Sequence, residues 1–186
     1  MRILDGGRQE QVQLFDSIVF HSISLFDYLG NLMDYVCNDK GQMRLKWMGV
    51  VQSIRDPSNP LSRSPVANII KNLHSELVDH LYKHRSDLIH YSADLAGAQT
   101  TFDLLANEHD FKVFAPYRII RRFHELDVLS QDHRLSLNYV AFWLSDKTLD
   151  STIQLIQPLL DHIQVNRKTP PGSAVFLYGD PTKAPS

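Results

Sequence analysis

At 186 residues the chain has room for one domain, or one domain and a tail, large enough to bury about 70% of its unfolded surface in an ordinary core. Apolar residues make up 43% and charged residues 22%, a globular composition far from that of a disordered chain. A formal net charge of −2 excludes nucleic-acid binding by bulk charge, so any such contact needs a local basic face.

Over residues 9–37 the apolar positions Val12, Phe15, Ile18, Val19, Ile23, Phe26, Leu29, Leu32, Met33 and Val36 step by threes and fours. That spacing predicts an amphipathic helix buried on more than one side, stopped by Asn38, Asp39, Lys40 and Gly41. The one cysteine, Cys37, falls in this apolar stretch and reads as a core thiol. It excludes an internal disulfide and a cysteine zinc site, and it suits a reducing compartment. A shorter helix over 43–54 carries Trp47, and three prolines within residues 57–65 then force a loop.

A long third helix is expected over 65–90, with Val66, Ile69, Ile70, Leu73, Leu77, Leu81 and Leu88 on its apolar face. Residues 92–110 stay open, since 100–105 fits either a short strand or another turn of helix. Pro116 opens a fourth helix to 127, and a fifth covers 132–165 with a bend expected near Asp146 or Pro158. From 167 the composition turns to proline, glycine and threonine. The fold class expected is therefore all-α: an antiparallel bundle of four to five helices over 1–166, with at most a short extended segment. Residues 167–186 read as a tail, partly extended or flexible. The first ten residues lack the basic start and apolar run of a signal peptide, and no stretch is long and apolar enough for a membrane span. A cytoplasmic protein with no membrane contact is the expectation.

The third helix ends His80-Leu81-Tyr82-Lys83-His84-Arg85-Ser86-Asp87-Leu88-Ile89-His90-Tyr91. Arginine, four residues, then histidine near the end of a bundle helix resembles the R-x4-H signature of the HEPN superfamily. The first helix, with Phe26, Asp27, Tyr28 and Asn31, is similar to the opening helix of that family. The resemblance implies a helical, commonly dimeric protein and, for many members, metal-independent ribonuclease activity in toxin–antitoxin or antiviral systems. The partners it implies are a second copy, RNA, and an antitoxin or other protein. Two departures stand out: Ser86 follows the arginine where Asn, Asp or His is common, and Tyr91 adjoins the histidine instead of standing two residues beyond it.

The residue chemistry supports those roles independently. A histidine with pKa near 6.5 is a suitable base or acid for a ribose 2′-hydroxyl, and an arginine fork suits a phosphate gathering charge. Positions 85 and 90 differ by about 140° around an α-helix, so they converge only by a long reach, a loosened helix end or a two-fold pairing of subunits. Asp27 and Asn31, one turn apart, are placed to support Arg85, with Ser86, Asp87 and Tyr91 beside it. Asp87 or Asp94 equally suits Arg85 or His90 as an ordinary helix-end partner.

Arg118, Arg121 and Arg122 share one face and form the candidate phosphate-backbone contact. His80 and His84, spaced i, i+4, could face a metal, but a solvated polar stripe is the simpler reading, so no metal or cofactor is expected. Trp47 and Trp143 fall at core spacings. Phosphate-loop, HExxH and GxSxG patterns do not occur. Two functions follow: a HEPN-like dimer that binds RNA and cleaves it without metal, or a non-catalytic HEPN-like module that binds a protein or small ligand.

Overall fold

The computed structural model describes residues 2–38, 45–90, 98–103, 108–131 and 134–165. At 2–5, 88–90, 98, 100–103, 108–110 and 164–165 it describes the backbone alone. The tail expected from 167 onward lies outside the described residues.

The molecule is mostly helical. Helix α1 (Arg2–Cys37) buries Phe15, Val19, Ile23, Phe26, Leu29 and Met33 along one face, the three-and-four stepping read from the sequence. It begins earlier than expected. Helix α2 (Trp47–Ser53) packs across its far end, and Trp47, fully buried, sets its ring edge-on to Phe26 at 5.2 Å. Gly30 permits that crossing. A Cβ there would lie 3.1 Å from the Trp47 nitrogen and 3.2 Å from the Leu45 carbonyl, inside the space of fixed backbone. A 3-10 turn, Pro60–Arg63, is capped by Asn59, whose side chain accepts from the Leu61 N–H at 3.0 Å.

The expected third helix forms as one rod of three parts: α3 (Ala67–Leu73), a π turn (His74–Val78) and α4 (Asp79–His90). The π turn has a physical reason. Leu73, Leu77 and Leu81 recur every fourth residue, and each such step overshoots an α-helical turn by about 40°. A wider turn keeps all three in the core, at 7%, 4% and 1% exposure. Tyr82 reaches back to Asp27, while His84 reaches the earlier Asp16, so α4 runs antiparallel to α1.

The open segment holds an antiparallel hairpin, β1 (Ala98–Asp103) with β2 (Glu108–Val113), in register from Ala98↔Val113 to Asp103↔Glu108. The expected fourth helix is split into α5 (Tyr117–Ile120) and α6 (His124–Ser130). The break sits at Phe123, which leaves helical geometry (φ −113°, ψ 112°) and turns into the core against His80 and Trp143. Helix α7 (Leu137–Val165) starts after an isolated bridge, Phe114↔Ser136, and continues as one helix through Asp146 and Pro158. It lies along α1, where the Thr148 hydroxyl donates to the buried Ser22 hydroxyl at 3.2 Å. Among the described residues no helix is long and apolar enough to cross a membrane.

Candidate functional site

The far end of α4 carries the residues singled out in the sequence. Arg85, half-buried, lays its guanidinium over the Phe20 ring of α1, 5.6 Å from the centroid. Ser86 is exposed beside it. His90 closes α4 by its backbone, its side chain being outside the description; Tyr91 and Asp94 lie outside the described residues altogether. Because α4 is regular to its last residue, the separation of about 140° between positions 85 and 90 stands.

Of the three carboxylates expected as partners of Arg85, the two within the described residues, Asp27 and Asp87, bind elsewhere. Asp27, half-buried, accepts from the Tyr82 hydroxyl at 2.6 Å and from the Trp47 N–H at 3.0 Å. It thereby supplies the acceptor that the α2 N-terminus lacks, since Lys46 at the cap makes no side-chain bond. Burial, and then this carboxylate, hold the Tyr82 phenol well above its ordinary range. Asn31, one turn on, has a buried Oδ1 with no partner among the described residues.

Asp87 is taken by the other side. Its Oδ2 accepts from Arg122, and Arg118 stands 3.7 Å away. The Arg122 guanidinium holds the Asp87 carboxyl below the usual carboxylate range. The shared basic face expected at 118, 121 and 122 is therefore divided: Arg118 and Arg122 turn to Asp87, and Arg121 stacks over Tyr117 at 4.0 Å. The physical reason is that α5 ends at Ile120 and the three arginines do not share a continuous helix.

His80 and His84 do not form a solvated stripe. His84 is buried, edge-on to Phe15 at 5.6 Å, with Nε2 3.4 Å from Asp16. His80 sits edge-on to Phe123, and burial lowers its pKa, with Lys83 the next contributor. Among the described residues no three His, Cys, Asp or Glu side chains group around a point where a metal could sit. Cys37 is a half-buried thiol pushed up to about 11 by burial.

A feature not found from the sequence lies between the π turn, α4, the start of α6 and α7. It is a groove of about 520 Å³ whose walls include Glu76, His80, Phe123, Glu125, Trp143 and Lys147. Glu125 accepts from Lys147 at 2.6 Å and from the Trp143 indole N–H at 3.1 Å. These residues come from four separate elements, so no local pattern marks them. The one local signal was the repeated spacing of four at 73, 77 and 81, which sets the π turn on the groove wall.

What the α4 end can do chemically is receive an anion. Among the described residues, the two carboxylates nearest Arg85 in the sequence reading, Asp27 and Asp87, are bound elsewhere. Comparison of the chain with protein-family models, with curated proteins and with solved structures found no match.

Proposed function

We propose that this chain is a HEPN-like homodimer that binds RNA at the end of α4 and cleaves it without metal. In this reading Arg85 holds a backbone phosphate and His90 moves the proton of the attacking hydroxyl. The observation that carries the reading is the state of Arg85 among the described residues: Asp27 is bound to Tyr82 and Trp47, Asp87 to Arg122 and Arg118, and the arginine lies on the Phe20 ring. A guanidinium laid on an aromatic ring is poised for a phosphate oxygen.

Pairing of two copies is supported by the outer surfaces of α1 and α7. Helix α7 exposes Phe142 (73%), Leu149 (59%) and Ile153 (57%), with Leu160 and Ile163 continuing the stripe at steps of seven, four, seven and three. Leu25, Tyr28, Leu32 and Tyr35 do the same on α1. Both stripes flank a groove of about 360 Å³ that includes Leu25 and Leu149. At a helix width of about 10 Å, the roughly 30 Å from Phe142 to Ile163 and the roughly 15 Å from Leu25 to Tyr35 give about 450 Å², over half of a standard interface of about 800 Å² per partner. Phe20, under Arg85, is one residue before His21 of the groove, so the proposed pairing surface adjoins the Arg85 site along α1.

A second reading, binding without cleavage, is favoured by the hold of Asp87 on Arg118 and Arg122, which takes charge away from substrate steering. The test is incubation of the protein with mixed RNA in EDTA, beside Arg85→Ala and His90→Ala variants. Degradation lost in both folded variants supports the nuclease. Binding that Arg85→Ala weakens, without degradation by the wild type, moves the assignment to the binding module. Binding and degradation both unaffected by Arg85→Ala overturn the site.

A further inference from the structure

We propose that the groove between the π turn and α7 binds a small organic polycation of the polyamine class, one ammonium taking the position that Lys147 now fills. The inference is independent of the RNA reading. At about 520 Å³ the groove has the size of a small-molecule site. Its floor is aromatic: Phe123, buried, packs on His80 at 5.6 Å and on Trp143 at 5.1 Å.

Three carboxylates stand around that floor, Glu76 on the π turn, Glu125 on α6 and Asp150 on α7. Against them the groove has Lys147 and Arg122, the latter also bound to Asp87. The carboxylates exceed the two cations by one with Lys147 in place, and by two once Lys147 swings out. Burial lowers the His80 pKa, which disfavours an opposing charge on that wall.

The chain itself shows the recognition chemistry. The Lys147 ammonium lies 5.9 Å from the Trp143 ring centroid while it donates to Glu125 at 2.6 Å, and the same Glu125 holds the indole N–H. An ammonium on an aromatic face with a carboxylate beside it is how such sites hold alkylammonium ligands. Lys147 is a partly exposed, single-charge occupant, and it can swing out to solvent. A metal ion does not suit the same residues, because no three metal-binding side chains converge among the described residues. Carboxylates spread over three elements fit charges spread along a flexible chain: one ammonium on Glu125 over Trp143, another toward Glu76 and Asp150.

The test is titration of the whole protein with spermidine, followed by calorimetry and by Trp143 emission, with Trp47 in the core as a constant background. Glu76→Gln and Asp150→Asn, both at exposed positions, are each expected to weaken binding about tenfold, as for loss of one charge-assisted contact. Lys147→Met is expected to tighten it by removing the internal competitor. Glu10→Gln, an equal loss of charge on α1, is expected to change it less than twofold. No saturable binding to the wild type by about 1 mM, where association is worth only about 4 kcal/mol, overturns the proposal. So does binding that Glu10→Gln weakens as much as Glu76→Gln does.

Discussion

Replacing Asp27 with alanine separates its two candidate roles. In the structure this carboxylate serves the Tyr82 hydroxyl at 2.6 Å and the Trp47 N–H at 3.0 Å, and Arg85 points to Phe20. Hydrogen bonds to a charged acceptor contribute about 1.5–3 kcal/mol each. Asp27 is half-buried, so the lower figure applies and two bonds give about 3 kcal/mol. For a chain of this length that lowers Tm by about 6–12 °C, since each kcal/mol is about 2–4 °C. Tyr82→Phe removes one bond and leaves Asp27 bound to Trp47, for about 1–1.5 kcal/mol. In the double variant the two losses should fall short of their sum by about 1 kcal/mol, because the Tyr82 contact is counted in both. Thermal melts and urea unfolding give these values. RNA binding below the melt should stay within twofold of the wild type for Asp27→Ala. An unchanged Tm with binding lost as fully as in Arg85→Ala would refute the reasoning and return Asp27 to the role of orienting the arginine.

Asp87→Asn should cost about 1 kcal/mol and raise RNA affinity by releasing Arg122, read by fluorescence anisotropy. Its folded-state pKa is depressed, so the stabilisation is present above the ordinary value near 3.9 and lost as pH falls through the folded value; acid unfolding of the variant should start from a flatter limb. His74 and His80 act in the same direction at higher pH: burial lowers both, the folded state binds fewer protons, and stability should fall as pH drops through about 6.5. His80→Gln should reduce that slope in urea midpoints between pH 7.5 and 5.5. Gly30→Ala should cost about 1–3 kcal/mol, because its Cβ meets backbone at 45–47 that cannot yield without moving α2.

The helices were legible wherever one element alone determines burial. Phe15, Val19, Ile23, Phe26 and Met33 announce the inner face of α1, and Pro57, Pro60 and Pro65 announce the loop, because both effects act within a turn or two. The π turn left a trace in the spacing of Leu73, Leu77 and Leu81, but three leucines four apart also fit a slightly broad α-helical face. The hairpin, with Thr100 opposite Phe111, had no alternation clear enough to choose strand over helix. Side-chain partners were the least legible. Arg85, Asp87, Arg118 and Arg122 are all in plain view in the sequence, yet which carboxylate meets which arginine depends on the break at Phe123. That break is set by a tertiary contact with His80 and Trp143.

The same break ties the two sites together. Phe123 turns inward and ends the run of helix that would have put Arg118, Arg121 and Arg122 on one face. Arg122 is thereby brought to Asp87 on one side and to the groove wall on the other. Asp87, so occupied, does not neutralise Arg85 two residues before it on α4. A charge at the end of α4 and an acidic aromatic groove thus have one structural origin, the burial of a single phenylalanine. Phe123→Ala should therefore do more than open a cavity costing about 3–5 kcal/mol. Where the variant still folds, loss of the α5–α6 break should weaken Arg85-dependent RNA binding and spermidine binding together. Loss of one with the other intact would show that the two sites are built separately.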